Sequence, residues 1–147
     1  MNATKAFKNI SLARGTQFLL CATSNIDVSS FEGQWVSSPI RCLGRAIEER
    51  PQIIVVRFGQ ISIQDRKILV DLCTELKQNS FSRKCILLLL LHRKHRKLIE
   101  DLAKVKADYL RCIGDDKLDL VLMREIIDGL GPDDRLESLL ISICPFL

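Results

Sequence analysis

The sequence lacks the residue patterns that mark most catalytic and cofactor sites. Its 7 glycines do not form a glycine-rich phosphate-binding loop at the end of a predicted strand. It has no C-x-x-C pair, which argues against a zinc site or a redox couple. Most of the cysteines fall within apolar patterns, where a free thiol behaves as a small buried hydrophobic group. We therefore expect no cofactor and no metal. The cysteines are Cys21, Cys42, Cys73, Cys85, Cys112 and Cys144.

Long hydrophobic runs are also missing. The longest wholly apolar run, Cys85–Leu91, is far too short to cross a bilayer, and the N-terminal segment around Lys5 and Lys8 has no apolar signal core. The 147 residues are 47% hydrophobic and 27% charged, which is typical of one globular domain. We expect a cytoplasmic protein without a membrane span.

Two apolar strands joined by a helix form the centre of the chain. Ile53–Phe58 and Cys85–Leu91 show no polar alternation, so both faces of their sheet must be covered, as in parallel α/β sheets. A crossover helix from about Asp65 to Gln78 connects them. Such sheets bind and react at the carboxyl ends of their strands. Here those ends carry Arg57 and His92 and no carboxylate or nucleophile. We therefore predict a binding module and not an enzyme.

The remaining patterns predict an α/β fold with a mostly parallel sheet, an N-terminal β-hairpin and helices on both faces. Phe31 and Trp35 are expected to anchor a polar loop to the core. We predict one domain over residues 1–131 and an amphipathic helical appendage over residues 132–147. The predicted elements are strands Phe7–Leu12, Gln17–Ala22 and Tyr109–Ile113, a loop Asn25–Val36, a helix from Ser38-Pro39 to Pro51, a helix through Leu98–Val105, and a helix capped by Asp115-Asp116 and stopped at Gly129.

An initial hairpin followed by alternating helices and strands resembles the STAS domain of bacterial anti-sigma-factor antagonists. The stretch AIEERPQIIVVRFGQISIQDRKIL is similar to the family pattern vvlDLsgvtfiDSsGl, with Asp65 on the family aspartate. Asn25-Ile26-Asp27 resembles the family's G-x-L-D. In that family the serine after the aspartate is phosphorylated, whereas Arg66 and Lys67 follow here. The resemblance implies a protein–protein interaction module in signal transduction that has lost its phosphorylation switch.

A second resemblance is to the response-regulator receiver domain. The segments LKQNSFSRKCILLLLLH and KADYLRCIGDD are similar to the end of a receiver, where GADDYLxKPF is common. The comparison places Arg57 on the phospho-accepting aspartate and Leu91 or His92 on the switch hydroxyl residue. It also places Cys112 on the lysine and Ala22-Thr23 on the metal-binding acid pair. This alternative implies a pseudoreceiver, acting as a phosphorylation-independent docking or assembly module.

Basic residues bracket the second central strand. Arg83-Lys84 precede it and the run His92–Lys97 follows it, without an acid. Cations at a helix N-terminus are unfavourable, which favours an acidic protein partner. No aromatic residue interleaves the run, so nucleic acid is the lesser alternative. His92 and His95 could share a metal by spacing, but the neighbouring cations favour two solvated histidines.

The predicted contact residues gather at the start of the crossover helix and in the basic run. Arg57, at the end of the strand before this helix, is expected to pair with Asp65 or to contact a ligand. Asp65 itself is expected to cap the helix. The apolar segment Leu139–Leu147 could support a homodimer. The predicted partner-binding residues are Arg57, Asp65, Arg66, Lys67, His92, Arg93, Lys94, Arg96 and Lys97.

Overall fold

The computed structural model describes residues 18–22, 31, 35–58, 63–93, 102, 104–113 and 118–138, with the backbone alone for residues 63–65. The elements with defined bounds within these residues are five strands, three helices and a 3-10 turn. They are β1 (Phe18–Ala22), β2 (Trp35–Val36), α1 (Pro39–Glu49), β3 (Ile53–Phe58), α2 (Ile63–Gln78), β4 (Ile86–His92), β5 (Tyr109–Ile113), α3 (Leu120–Asp128) and the 3-10 turn Pro132–Asp134.

The strands form one parallel sheet in the order β2-β1-β3-β4-β5. β3 pairs with β1 on one side and with β4 on the other, and every pair among these strands is parallel. The predicted α/β class with a parallel central sheet is confirmed. The first arm of the predicted hairpin, Phe7–Leu12, lies outside the described residues. Its second arm corresponds to β1, whose neighbours β2 and β3 both run parallel to it.

Side chains of the central strands alternate between two apolar layers, which explains why the strands carry no polar alternation. α1 and α2 cover one face of the sheet, and α3 covers the other together with Phe31, which is fully buried as predicted. The layer under α1 and α2 includes Leu19, Cys21, Ile54, Val56, Phe58, Leu87, Leu89 and Leu91. The layer under α3 includes Phe18, Leu20, Ala22, Ile53, Val55, Leu88 and Leu90.

Three local predictions need correction. The predicted loop Asn25–Val36 ends in strand β2, which is too short to produce a periodic pattern. α2 begins at Ile63, so Asp65 lies inside its first turn and is not its N-cap. The N-cap of α3 is Asp119, not Asp115-Asp116, and its side chain accepts a hydrogen bond of 2.8 Å from the Leu122 N–H. An aspartate closer to the first apolar turn therefore supplies the cap.

A network around Lys77 ties the amino edge of the sheet together. The Lys77 ammonium lies 3.1 Å from Asp108 Oδ2 and donates to the main-chain oxygens of Arg83 and Cys85, at 2.9 and 3.2 Å. The same Asp108 oxygen accepts from the Leu87 N–H at 2.8 Å. The C-terminal turn of α2 is thereby joined to the starts of β4 and β5.

The segment after the 3-10 turn packs on the domain as far as it is described. Arg135 forms an isolated bridge with Tyr109, and Leu136 is 3% exposed within the α1/α2 layer. Residues 139–147, on which the homodimer prediction depends, lie outside the described part. No helix in the described ranges is both long and apolar enough to cross a membrane.

Candidate functional site at the carboxyl edge of the sheet

The strand order places a topological switch point between β1 and β3. From β1 the chain continues to β2 on one side, and then crosses to β3 on the other side. Open α/β sheets bind ligands outside the carboxyl ends of the strands at such a point, because the connections diverge there and leave a crevice. Ala22, the last residue of β1, pairs with Arg57 of β3. Arg57 therefore stands at the position where this fold class places its binding sites.

Arg57 is a permanent positive charge inside the domain. Its side chain is fully buried, although the guanidinium of arginine stays protonated in proteins. Its Nη1 donates a hydrogen bond of 2.8 Å to the main-chain oxygen of Phe58, and it makes further interactions within the protein. Arg57 is paired with Ala22 and Leu90, which both belong to the layer under α3, so it lies on that face. The predicted pairing with Asp65 involves a side chain outside the described ones.

His92 lies on the same face and at the same edge as Arg57. It is the last residue of β4, two positions after Leu90, and pairs with Ile113 of β5. Strand spacing and rise place the Cα atoms of Arg57 and His92 about 8 Å apart. His92 is only 5% exposed, so the prediction of a solvated histidine is wrong at this position. β4 ends one residue later than predicted and takes His92 into the sheet; His95 lies outside the described residues.

The first turns of α2 carry two of the predicted contact residues. Lys67 is exposed, and Arg66 is half-buried, with an Nε atom that is buried and has no hydrogen-bond partner among the described residues. Positive side chains near a helix N-terminus oppose the positive end of the helix dipole. The fold therefore concentrates positive potential at this end of α2 and does not neutralise it with a described side chain.

Two further exposed cations lie at the same edge. Arg93 directly follows β4, and Arg41 occupies the first turn of α1, which begins at the carboxyl edge because it follows the parallel strand β2. Asp119, the N-cap of α3, is a described acid at this edge. The sequence interpretation missed Arg41, although a cation just after the Ser38-Pro39 start is the same signal that singled out Arg66 and Lys67. We call Arg41, Arg66, Lys67 and Arg93 the cationic rim.

The other basic residues divide between two places. Arg83 and Lys84 precede β4 and lie at the opposite edge of the sheet, about 20 Å from its carboxyl end by strand rise. The two basic clusters therefore do not form one continuous patch through β4. Lys94, Arg96 and Lys97 lie outside the described residues, and their role as contacts stays a prediction.

The described side chains of the edge can attract and orient negative charge. Over the described ranges, no group of three His, Cys, Asp or Glu side chains is placed to hold a metal ion. The site thus combines a buried cation, a buried histidine and a cationic rim in which Arg66 is half-buried and the other three side chains are exposed. Comparison of the chain with protein-family models and with curated proteins finds no match.

Proposed function

We propose that this chain is a non-catalytic interaction module of a bacterial, cytoplasmic regulatory or assembly system. It docks an acidic surface of a partner protein on the carboxyl edge of its sheet. The observation that carries the proposal is the concentration of positive charge at this edge: Arg57, a buried and permanently charged group at the switch point, and the cationic rim at the same edge of the sheet. Complementary charge speeds association and selects against wrong partners, which is the task of a docking surface.

The strand order supports the pseudoreceiver form of this proposal over the STAS form. The order 2-1-3-4-5 with parallel strands is the doubly wound arrangement shared by flavodoxin and response-regulator receivers. The STAS comparison depends on an antiparallel hairpin at the start of the chain, whereas β1 has parallel neighbours on both sides. Both resemblances imply the same activity, because in each of them this chain lacks the residue that the family phosphorylates.

Docking by this module does not depend on its own phosphorylation. In the receiver comparison, Arg57 takes the strand-end position of the phospho-accepting aspartate, and Ala22 falls on the acid pair that would hold the metal ion. A guanidinium cannot replace the carboxylate as phosphoryl acceptor. It does supply, at all times, a positive charge at the switch point.

Charge reversal on the exposed part of the rim tests the proposal. We choose Lys67→Glu with Arg93→Glu, because both side chains are exposed and the exchange leaves the core untouched. The matched control is Lys104→Glu with Arg124→Glu, which changes the net charge equally at exposed positions away from this edge. Each tagged protein is used to capture partners from a nuclease-treated bacterial lysate, and captured proteins are quantified by mass spectrometry.

We expect the wild type and the control pair to retain the same acidic proteins, and the rim pair to lose them. Treatment with acetyl phosphate and Mg²⁺ should add no phosphoryl group and leave capture unchanged. Equal capture by the rim pair would overturn the proposal, as would equal loss from both pairs. Capture that appears only when the nuclease is omitted from the lysate would favour the nucleic-acid alternative instead, with its steep salt dependence.

A further inference from the structure

A groove opens at the amino edge of the sheet, opposite the cationic rim. It lies between the end of α1 and the turn that leads into β4, and its volume is about 430 Å³. That volume falls within the range of about 300–1,000 Å³ typical of ligand sites. The groove is lined by Arg50, Pro51, Gln52, Ser80, Phe81, Lys84, Cys85 and Ile86.

One wall of the groove is a turn held in place by hydrogen bonds. The Asn79 side chain accepts from the Phe81 N–H at 2.8 Å, and the Asn79 main-chain oxygen accepts from the Arg83 N–H at 2.9 Å. Ser82 Oγ, which is buried, donates to the main-chain oxygen of Leu76 at 2.7 Å. Lys77 also donates a hydrogen bond to the main-chain oxygen of Arg83 in the same turn. The backbone of this wall is therefore held in place before binding, so ordering it costs little entropy when a ligand binds.

The other wall carries an arginine in a left-handed backbone conformation. Arg50 has φ 47° and ψ 59° at the end of α1, where glycine or asparagine is usual, and its N–H donates to the main-chain oxygen of Ala46. It is the one non-glycine residue with positive φ among the described residues. Its guanidinium carbon lies 4.9 Å from the centre of the Phe81 ring. A residue that the helix end disfavours is thus placed over the groove.

The groove combines an exposed aromatic ring with positive charge. Phe81 is 52% exposed, and Arg50 and Lys84 line the groove, whereas no carboxylate of the described residues does. Asp108, the described acid of the neighbouring network, is already paired with Lys77. Aromatic and arginine side chains are enriched at protein–protein interfaces relative to the rest of the surface.

We infer that this groove binds an acidic peptide segment of a partner protein, one that carries an apolar side chain beside its carboxylates. The apolar side chain packs on Phe81, and the carboxylates pair with Arg50 and Lys84. Charge complementarity selects the acidic residues, and the single ring favours a peptide over single-stranded nucleic acid, which stacks successive bases on several aromatics. The site is separate from the cationic rim and does not depend on it.

Two blocked heptapeptides serve as probes. One carries glutamates around a central phenylalanine and leucine, and the other replaces every glutamate by glutamine. Amide resonances of the full ¹⁵N-labelled chain are followed during titration with each peptide. We expect the acidic peptide to shift the amide resonances of Arg50, Gln52 and residues 80–86, and the glutamine peptide to bind roughly tenfold more weakly.

Two variants locate the site without disturbing the fold. Arg50→Gly removes the guanidinium while giving the left-handed position the residue it prefers, and Lys84→Glu reverses an exposed charge. Each should weaken the acidic peptide about tenfold, whereas the control Arg124→Glu should leave binding unchanged. The rim pair Lys67→Glu with Arg93→Glu should also bind the peptide normally, which separates this inference from the proposed function.

The inference is overturned if millimolar acidic peptide shifts no groove resonance, or if both peptides bind equally. It is also overturned if the groove variants bind as well as Arg124→Glu. An oligothymidylate that shifts the same resonances as strongly as the acidic peptide would assign the groove to nucleic acid.

Discussion

The network around Lys77 gives a prediction whose size can be worked out from its geometry. Replacing Lys77 by methionine keeps most of the side-chain volume and removes the ammonium group. Three contacts disappear: the ion pair with Asp108 at 3.1 Å and the hydrogen bonds to two main-chain oxygens. The Asp108 carboxylate keeps the Leu87 N–H as a donor. The change therefore tests how much a single lysine adds to the joint between α2, β4 and β5.

The expected loss is intermediate because the pair is only partly exposed. The Lys77 side chain is 14% exposed and Asp108 is 33% exposed, so solvent screens the pair but does not cancel it. A hydrogen bond to a charged group contributes about 1.5–3 kcal/mol, and part of that is recovered by water at the exposed side. We expect Lys77→Met to lower the free energy of unfolding by about 2–3 kcal/mol, and Asp108→Asn by about 1–2 kcal/mol.

Urea unfolding followed by the fluorescence of the single tryptophan, Trp35, measures both changes. The double variant completes the cycle, and its coupling free energy should be about 1 kcal/mol. Lys67→Met, on the same helix but exposed, is the matched control and should change stability by less than about 0.5 kcal/mol. Single variants that unfold like the control, or a coupling of zero, would refute the reasoning.

Two further predictions concern stability. Gly44 is exposed within α1, and an added Cβ would meet no described heavy atom within 4 Å, so Gly44→Ala should raise the free energy of unfolding by about 0.5–1 kcal/mol in urea; a loss would contradict this. A hydrogen bond with Cys21 and burial raise the pKa of the Cys42 thiol, and burial raises the pKa of the Cys73 thiol. The folded protein therefore keeps these two thiols protonated at a pH at which the unfolded chain, with a thiol pKa of about 8.5, loses the protons. Their contribution to the free energy of unfolding is complete below a pH of about 8.5, and above it the free energy of unfolding falls by up to about 1.4 kcal/mol per pH unit for each thiol. Unfolding free energies from pH 8 to 10 should show this decline, and Cys73→Ala should make it shallower; an unchanged slope would count against it.

Continuous apolar character made the centre of the fold predictable. Ile53–Phe58 coincides with β3, and β4 begins and ends one residue later than predicted. Both faces of these strands are buried, so consecutive positions are apolar and mark the strand in the sequence. β2 could not be predicted, because a strand of two residues has no period and is defined only by its pairing with Leu20 and Cys21. Its position at the sheet edge is a tertiary property.

The candidate site was predictable in place but not in detail. A parallel sheet directs attention to its carboxyl ends, and this rule identified Arg57 and the start of α2. The burial of His92 could not be predicted, because a histidine followed by four cations in five residues has the local composition of a surface. The burial of His92 follows from the strand register, because His92 pairs with Ile113, which belongs to the layer under α3. The amino-edge groove was missed because Arg50 and Phe81 are far apart in sequence.

The position of β4 between β3 and β5 has a consequence for the chain before it folds. Leu87–Leu91 is five consecutive leucines without charge, a segment of the kind that self-associates as stacked strands when exposed. In the native sheet neither of its edges is open, but a nascent chain must wait for β5 to be made before both edges are paired. This segment is flanked by charged residues, Arg83-Lys84 before it and Arg93-Lys94 after it. Their positive charges make the same segment in different chains repel, which opposes aggregation. Substitutions that remove these charges should therefore be judged by soluble yield as well as by binding.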